Sequence, residues 1–170
     1  MADLYDKLKG SQGLFGKIAS MIPGFSGYVD RETRREADKM LRETIANRYS
    51  EQLSRVGNLQ VQLISSGGIE FVDDLQDAAN RLQRFVDTVS TAARGYAGLF
   101  DAVKINEGEL EKHYKFDLVL LENVSQVAAA VDNVEASIGA EGLPAALRHL
   151  SSVIGEVNTT YERRKEVLTS

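Results

Sequence analysis

The sequence predicts an all-α protein, an elongated antiparallel four-helix bundle preceded by a short N-terminal helical appendage. Three observations carry this prediction. Apolar residues recur at alternating steps of three and four in four separate stretches, the spacing of one face of an α-helix. Glycine-rich breaks fall between those stretches. The 170 residues include only two prolines and no tryptophan, which suits long helices better than a loop-rich β fold.

The appendage, about 14–22, lies in GLFGKIASMIPGFSGY (residues 13–28). As a helix it gathers Leu14, Phe15, Ile18, Met21 and Ile22 on one side, with Lys17 and Ser20 on the other. Pro23-Gly24 ends it, and Gly27 supplies a second bend, so the segment is hinged.

The first long helix, about 30–65, opens in DRETRREADKMLRE. Thirteen of the 26 residues from Asp30 to Arg55 are charged, nearly balanced in sign. The pairs Arg34–Asp38, Asp38–Arg42 and Lys39–Glu43 stand at helical spacing and support the helix by about 0.2–0.5 kcal/mol each. For DRETRREADK (30–39) the expectation is a solvated charged face or an electrostatic contact surface. The apolar row is Ala37, Leu41, Ile45, Tyr49, Leu53, Val56, Leu59 and Leu63, and Gly57-Asn58 is expected to kink or interrupt it.

The second helix, about 69–105, has the clearest pattern: Val72, Leu75, Ala79, Leu82, Val86, Val89, Ala93, Tyr96, Phe100 and Val103. A parallel row of Phe71, Ala78, Phe85, Ala92 and Leu99 widens the face, so this helix touches at least two neighbours. The third, about 109–138, carries Leu120, Val124, Val127, Val131, Val134 and Ile138, and its seam extends backwards onto His113 and Asp117. The fourth, about 143–168, carries Leu143, Leu147, Leu150, Ile154, Val157, Tyr161 and Leu168, with Arg164 the one exception to the spacing and Pro144 in its first turn. Breaks at residues 65–68, 106–108 and 139–142 are short, which favours antiparallel neighbours and an up-down-up-down path. The expected organisation is an amphipathic appendage over 1–28 and a single bundle domain over 29–170.

Composition narrows the function. Hydrophobic residues make up 43% and charged residues 26%, ordinary for a globular chain. No cysteine is present, so disulfides, thiolate catalysis and cysteine-ligated metals are excluded. The net charge is −5, and residues 56–170 hold ten basic against seventeen acidic groups, a poor match for nucleic acid. No apolar run reaches the ~20 residues of a membrane span. The opening MADLYDKLKG lacks the basic region and apolar run of a signal peptide, so the expected location is the cytoplasm.

No catalytic motif is found, and no cofactor is expected. Di-iron bundles use Glu-x-x-His, but Leu110 precedes His113 and Ala146 precedes His149 at that spacing. Glu109, His113 and Asp117 stand at i, i+4 and i+8. They are the one candidate for a metal or acid–base site, against the reading of a solvated helix end or a His–Asp hydrogen bond. His149 flanks the Leu147/Leu150 row as a surface residue. Gly95 and Gly98 suggest close approach of a neighbouring helix.

PGFSGYVDRETRREADKMLR (23–42) and GYAGLFDAVKI (95–105) resemble two blocks of an uncharacterised family of bacterial all-helical proteins. The similarity covers about a fifth of the chain. It implies an all-helical fold and no known activity, with an association with membrane-scaffold systems.

The function expected from the sequence is a non-catalytic helical interaction or scaffold protein, binding a protein partner or itself and no nucleic acid. Its contact residues are Leu14, Phe15, Ile18, Met21, Ile22 and Phe25, with the charged first helix as a second surface. The alternatives are a small-ligand or metal-binding bundle with a polar site near His113, and a peripheral membrane-surface binder. For the N-terminal segment itself, docking on its own bundle stands beside a partner protein and a membrane surface. The single Lys17 makes a poor polar face for anionic lipid.

Overall fold

Helices supply every regular element among the described residues. The computed structural model describes the backbone of residues 13–25, 31–95 and 107–169, and the side chains of 13–25, 36, 39–91 and 114–163. Helix α1 covers 13–21. Helix α2 is Arg31–Ser65, a 3-10 turn covers Ile69–Phe71, and α3 is Val72–Gly95. Helix α4 is Glu107–Ser137 and α5 is Leu143–Thr169. The predicted second helix over 69–105 therefore begins as a 3-10 turn, and its last part, 96–105, lies outside the described residues.

The predicted seams are the buried faces. Leu41, Ile45, Tyr49, Val56, Leu59 and Leu63 of α2 meet Leu75, Ala79, Leu82, Phe85, Val86 and Val89 of α3 in one hydrophobic cluster. Leu120, Val127, Val131 and Val134 of α4 and Leu143, Leu147, Leu150, Ile154, Val157 and Tyr161 of α5 complete it. Burying side chains of this size contributes roughly 1.5–3 kcal/mol each, which offsets the ordering of long helices that would be marginal alone.

Helix α2 ends on Gly67, whose φ of +83° is the left-handed conformation that glycine adopts without steric cost. The Gly68 N–H then donates to the Leu63 carbonyl at 2.7 Å, the six-to-one bond of a Schellman cap. Gly57-Asn58, in contrast, neither kinks nor interrupts α2, which is continuous through both positions. Packing of Val56 and Leu59 on the core side outweighs the ~1 kcal/mol helix cost of glycine relative to alanine.

Side-chain contacts fix the directions of the helices. Gln60 bonds Gln76 and Tyr49 stacks on Phe85, so α2 and α3 run antiparallel. Tyr49 bonds Leu120 while Arg55 reaches Ala128, so α2 and α4 run parallel. Arg81 bonds Ser151 and Phe85 meets Tyr161, so α3 and α5 are parallel too. Each long helix packs on two others, in the order α2, α3, α5, α4 and back to α2. The chain thus alternates in direction as predicted, but two hairpins lie side by side with like-directed helices adjacent. A simple antiparallel circuit would have placed α3 against α4.

Candidate functional site

The sequence-predicted contact segment is folded onto the protein's own core. Ile18, Ile22 and Phe25 are buried in the main cluster, while Leu14, Phe15 and Met21 are half-buried against it. Phe15 and Phe25 lie 5.8 Å apart between ring centres, and both approach Tyr114 of α4, at 6.1 and 6.4 Å. The tilted and edge-on geometries are those that aromatic quadrupoles favour. Arg48 of α2 donates from Nη2 to the Met21 carbonyl at 2.6 Å, satisfying an acceptor that the end of α1 leaves open. Helix α1 therefore spans α2 and α4, and of the six predicted contact residues three face inward. Leu14, Phe15 and Met21 form the rim that stays partly accessible, beside exposed Lys17.

Asp117 corrects one expectation. It is fully buried, so the seam does not end in solvent at this position. Arg42 of α2, which stands at helical spacing from Asp38, is only 4% exposed. The Tyr49–Leu120 and Arg55–Ala128 bonds set the α2/α4 register, and that register puts Asp117 about one helical turn farther along than Arg42. Opposite charges are thus buried within about a turn of each other on α2 and α4, where burial demands compensation. The side chains of Glu109 and His113 lie outside the described residues, so the predicted trio is represented by Asp117 alone. Among the described residues, no three His, Cys, Asp or Glu side chains come together as a metal site. Gly95 and Gly98 also lie where no side-chain surroundings are described, and His149 is exposed.

The charged start of α2 is described in part. Lys39 and Glu43 form the expected i,i+4 pair at 4.0 Å, both exposed. Farther up α2, Arg55 pairs with Asp132 and lies 3.7 Å from Glu135, joining α2 to α4.

A groove of about 650 Å³ opens over α5, lined by Asn123 and Gln126 of α4, Ser152, Thr159 and Arg163 of α5, and Arg81. Arg81 donates to the Ser151 hydroxyl at 2.7 Å, beside Gly155. The groove is open and polar, and no predicted site residue lines it.

Sequence reasoning missed a second surface. Val61, Ile64 and Ile69, at the turn between α2 and α3, are 63%, 56% and 68% exposed. The signal was available: Val61 and Ile64 fall off the Leu59/Leu63 row, and an apolar residue off the seam points outward. Comparison with family models, curated proteins and solved structures found no match.

Proposed function

We propose that the chain is a non-catalytic interaction or scaffold protein. In this reading the four long helices act as one elongated four-helix bundle with α1 as a docked appendage, working in the cytoplasm. Its N-terminal contact surface is the outer rim of α1, with the charged start of α2 beside it. The observation that carries the reading is the division of α1 into two apolar rows. Ile18, Ile22 and Phe25 satisfy the core, and Leu14, Phe15 and Met21 pack against it while remaining partly accessible. Apolar rims of this kind suit contact with a protein surface. Lipid is the weaker match, because Lys17 is the only cation of α1.

Site-specific photocrosslinking in cells tests this. A photoreactive residue at position 14 or 21 is expected to give discrete protein adducts, while one at exposed Glu122 gives none. Equal labelling from all three positions would remove the reading. Adducts to lipid alone would replace it with the membrane-surface alternative.

A further inference from the structure

Near its turn the α2/α3 hairpin presents two facing helical rows on its outward side, and the cleft is the seam between them. On α2, Gly57, Val61 and Ile64 stand at i, i+4 and i+7, one row of a helix surface. On the facing element, Ile69, Asp73, Gln76 and Asn80 follow the same spacing. Gln60 donates to Gln76 at 2.8 Å between the two rows, and Gln76 donates to Asn80 at 2.9 Å. Val61, Ile64 and Ile69, each more than half exposed, therefore flank one surface.

Two further features say what covers it. A methyl group at Gly57 would meet no heavy atom of the described residues within 4 Å, so no close approach among them accounts for this mid-helix glycine. Glycine there costs α2 about 1 kcal/mol relative to alanine, and it leaves a side-chain-free notch beside Val61. The charge around the cleft has one sign. Residues 56–80 contain Glu70, Asp73, Asp74 and Asp77 and no Lys or Arg. Residues 124–147, brought to the same end by the parallel packing of α2 and α4, contain Asp132, Glu135 and Glu141 and again no Lys or Arg. Arg55 compensates Asp132 and Glu135. Glu70, Asp73, Asp74 and Asp77 form no ion pair among the described residues. The dipole of α3 favours Asp73 and Asp74 in its first turn, yet it does not require cations to be absent from the whole end.

We infer that this cleft receives a cationic amphipathic helix from a partner protein. The helix lays apolar side chains against Val61, Ile64 and Ile69, approaches closely at Gly57, and directs Lys or Arg toward Asp73 and Asp77. Apolar anchors at helical spacing supply affinity, and the charges set orientation and partner choice. The inference adds a second surface to the interaction reading and depends on that reading's general premise.

Titrating full-length protein into a labelled amphipathic helix of roughly 14 Leu and Lys residues tests it by fluorescence anisotropy. The expected result is saturable one-to-one binding that weakens as salt rises from about 0.05 to about 0.5 M. The same helix with Glu in place of Lys does not bind. Binding falls at least about tenfold in Ile64→Ser/Ile69→Ser, and by a similar factor in Gly57→Leu and in Asp73→Asn/Asp77→Asn. It stays within about twofold in Glu122→Gln/Glu156→Gln, which neutralises exposed acids elsewhere. The mutated cleft side chains are exposed, and a cooperative helical melt verifies that each variant folds. Binding indifferent to the cleft variants, or equal binding of the Glu peptide, overturns the inference. A dimer in sedimentation equilibrium that dissociates in Ile64→Ser/Ile69→Ser also overturns it, assigning the cleft to a second copy. None of these variants touches Leu14 or Met21, so crosslinking from α1 fails or succeeds separately.

Discussion

The Tyr49 hydroxyl donates a 2.7 Å hydrogen bond to the Leu120 carbonyl and so joins α2 to α4 inside the core. The same ring stands edge-on to Phe85, which stands edge-on to Tyr161, so one aromatic line also reaches α3 and α5. Burial pushes the Tyr49 phenol well above its ordinary value of 10.0. The folded state therefore keeps this proton at pH values where the unfolded chain releases it. The associated stability is fully present below about pH 10 and is lost as pH rises above it, by up to about 1.4 kcal/mol per pH unit. Tyr49→Phe removes that slope and lowers stability at neutral pH by about 1 kcal/mol. Denaturant melts of both proteins between pH 7 and 11 check this, and parallel pH profiles would contradict it.

Arg42 and Asp117, opposite charges buried about one turn apart on α2 and α4, are expected to compensate each other. Removing one member of a buried charge pair costs about 3–5 kcal/mol, whereas replacing both by apolar residues of similar volume costs far less. Asp117→Leu and Arg42→Met are each expected to destabilise strongly, and the double variant to recover most of the loss. Additive effects in this double-mutant cycle would show that the two side chains act independently.

The glycines divide by conformation. Gly57→Ala is expected to raise stability by about 0.5–1 kcal/mol, since the site is helical and open. Gly67→Ala is expected to lower it by about 1–2 kcal/mol, because φ of +83° drives a Cβ toward its own carbonyl. Thermal melts showing the two changes in the same direction would contradict the assignment of Gly67 as the cap.

Much of the fold was legible because the helix period writes the buried face directly into the chain. Leu75, Leu82, Leu150 and Ile154 could be placed inside from spacing alone. Neighbour order could not, because a periodic row states which side is buried and not which helix covers it. Hence the parallel α2/α4 contact, fixed by Tyr49 and Arg55, differs from the simplest circuit. Polar residues on a seam are ambiguous for the same reason: Asp117 reads as solvated until a neighbouring helix closes over it. The apolar row of α1 was plain, yet its destination depended on Tyr114 and Arg48, more than twenty residues away in sequence. Val61 and Ile64 were the opposite case, readable as off-seam residues but overlooked beside a stronger row.

Helix α1 contributes to the core in proportion to what it buries. Ile18→Ala is expected to cost about 2–5 kcal/mol and Phe25→Ala about 3–5 kcal/mol. Leu14→Ser, on the rim, costs under about 1 kcal/mol. Deleting residues 1–27 uncovers Tyr114 and the adjoining core and should lower the melting temperature. A deletion that leaves the melt unchanged would show that the bundle closes without α1.

Helix α1 packs into the core, and in the proposed function only its rim is left for a partner. Amide hydrogen exchange on the full-length protein measures this most directly. The Ile22 N–H, bonded to the Ile18 carbonyl at 2.9 Å, is expected to be protected to a degree approaching the amides of Leu82 and Val131. Exchange of Ile22 at the rate of an unstructured peptide, with the bundle amides still protected, would contradict it.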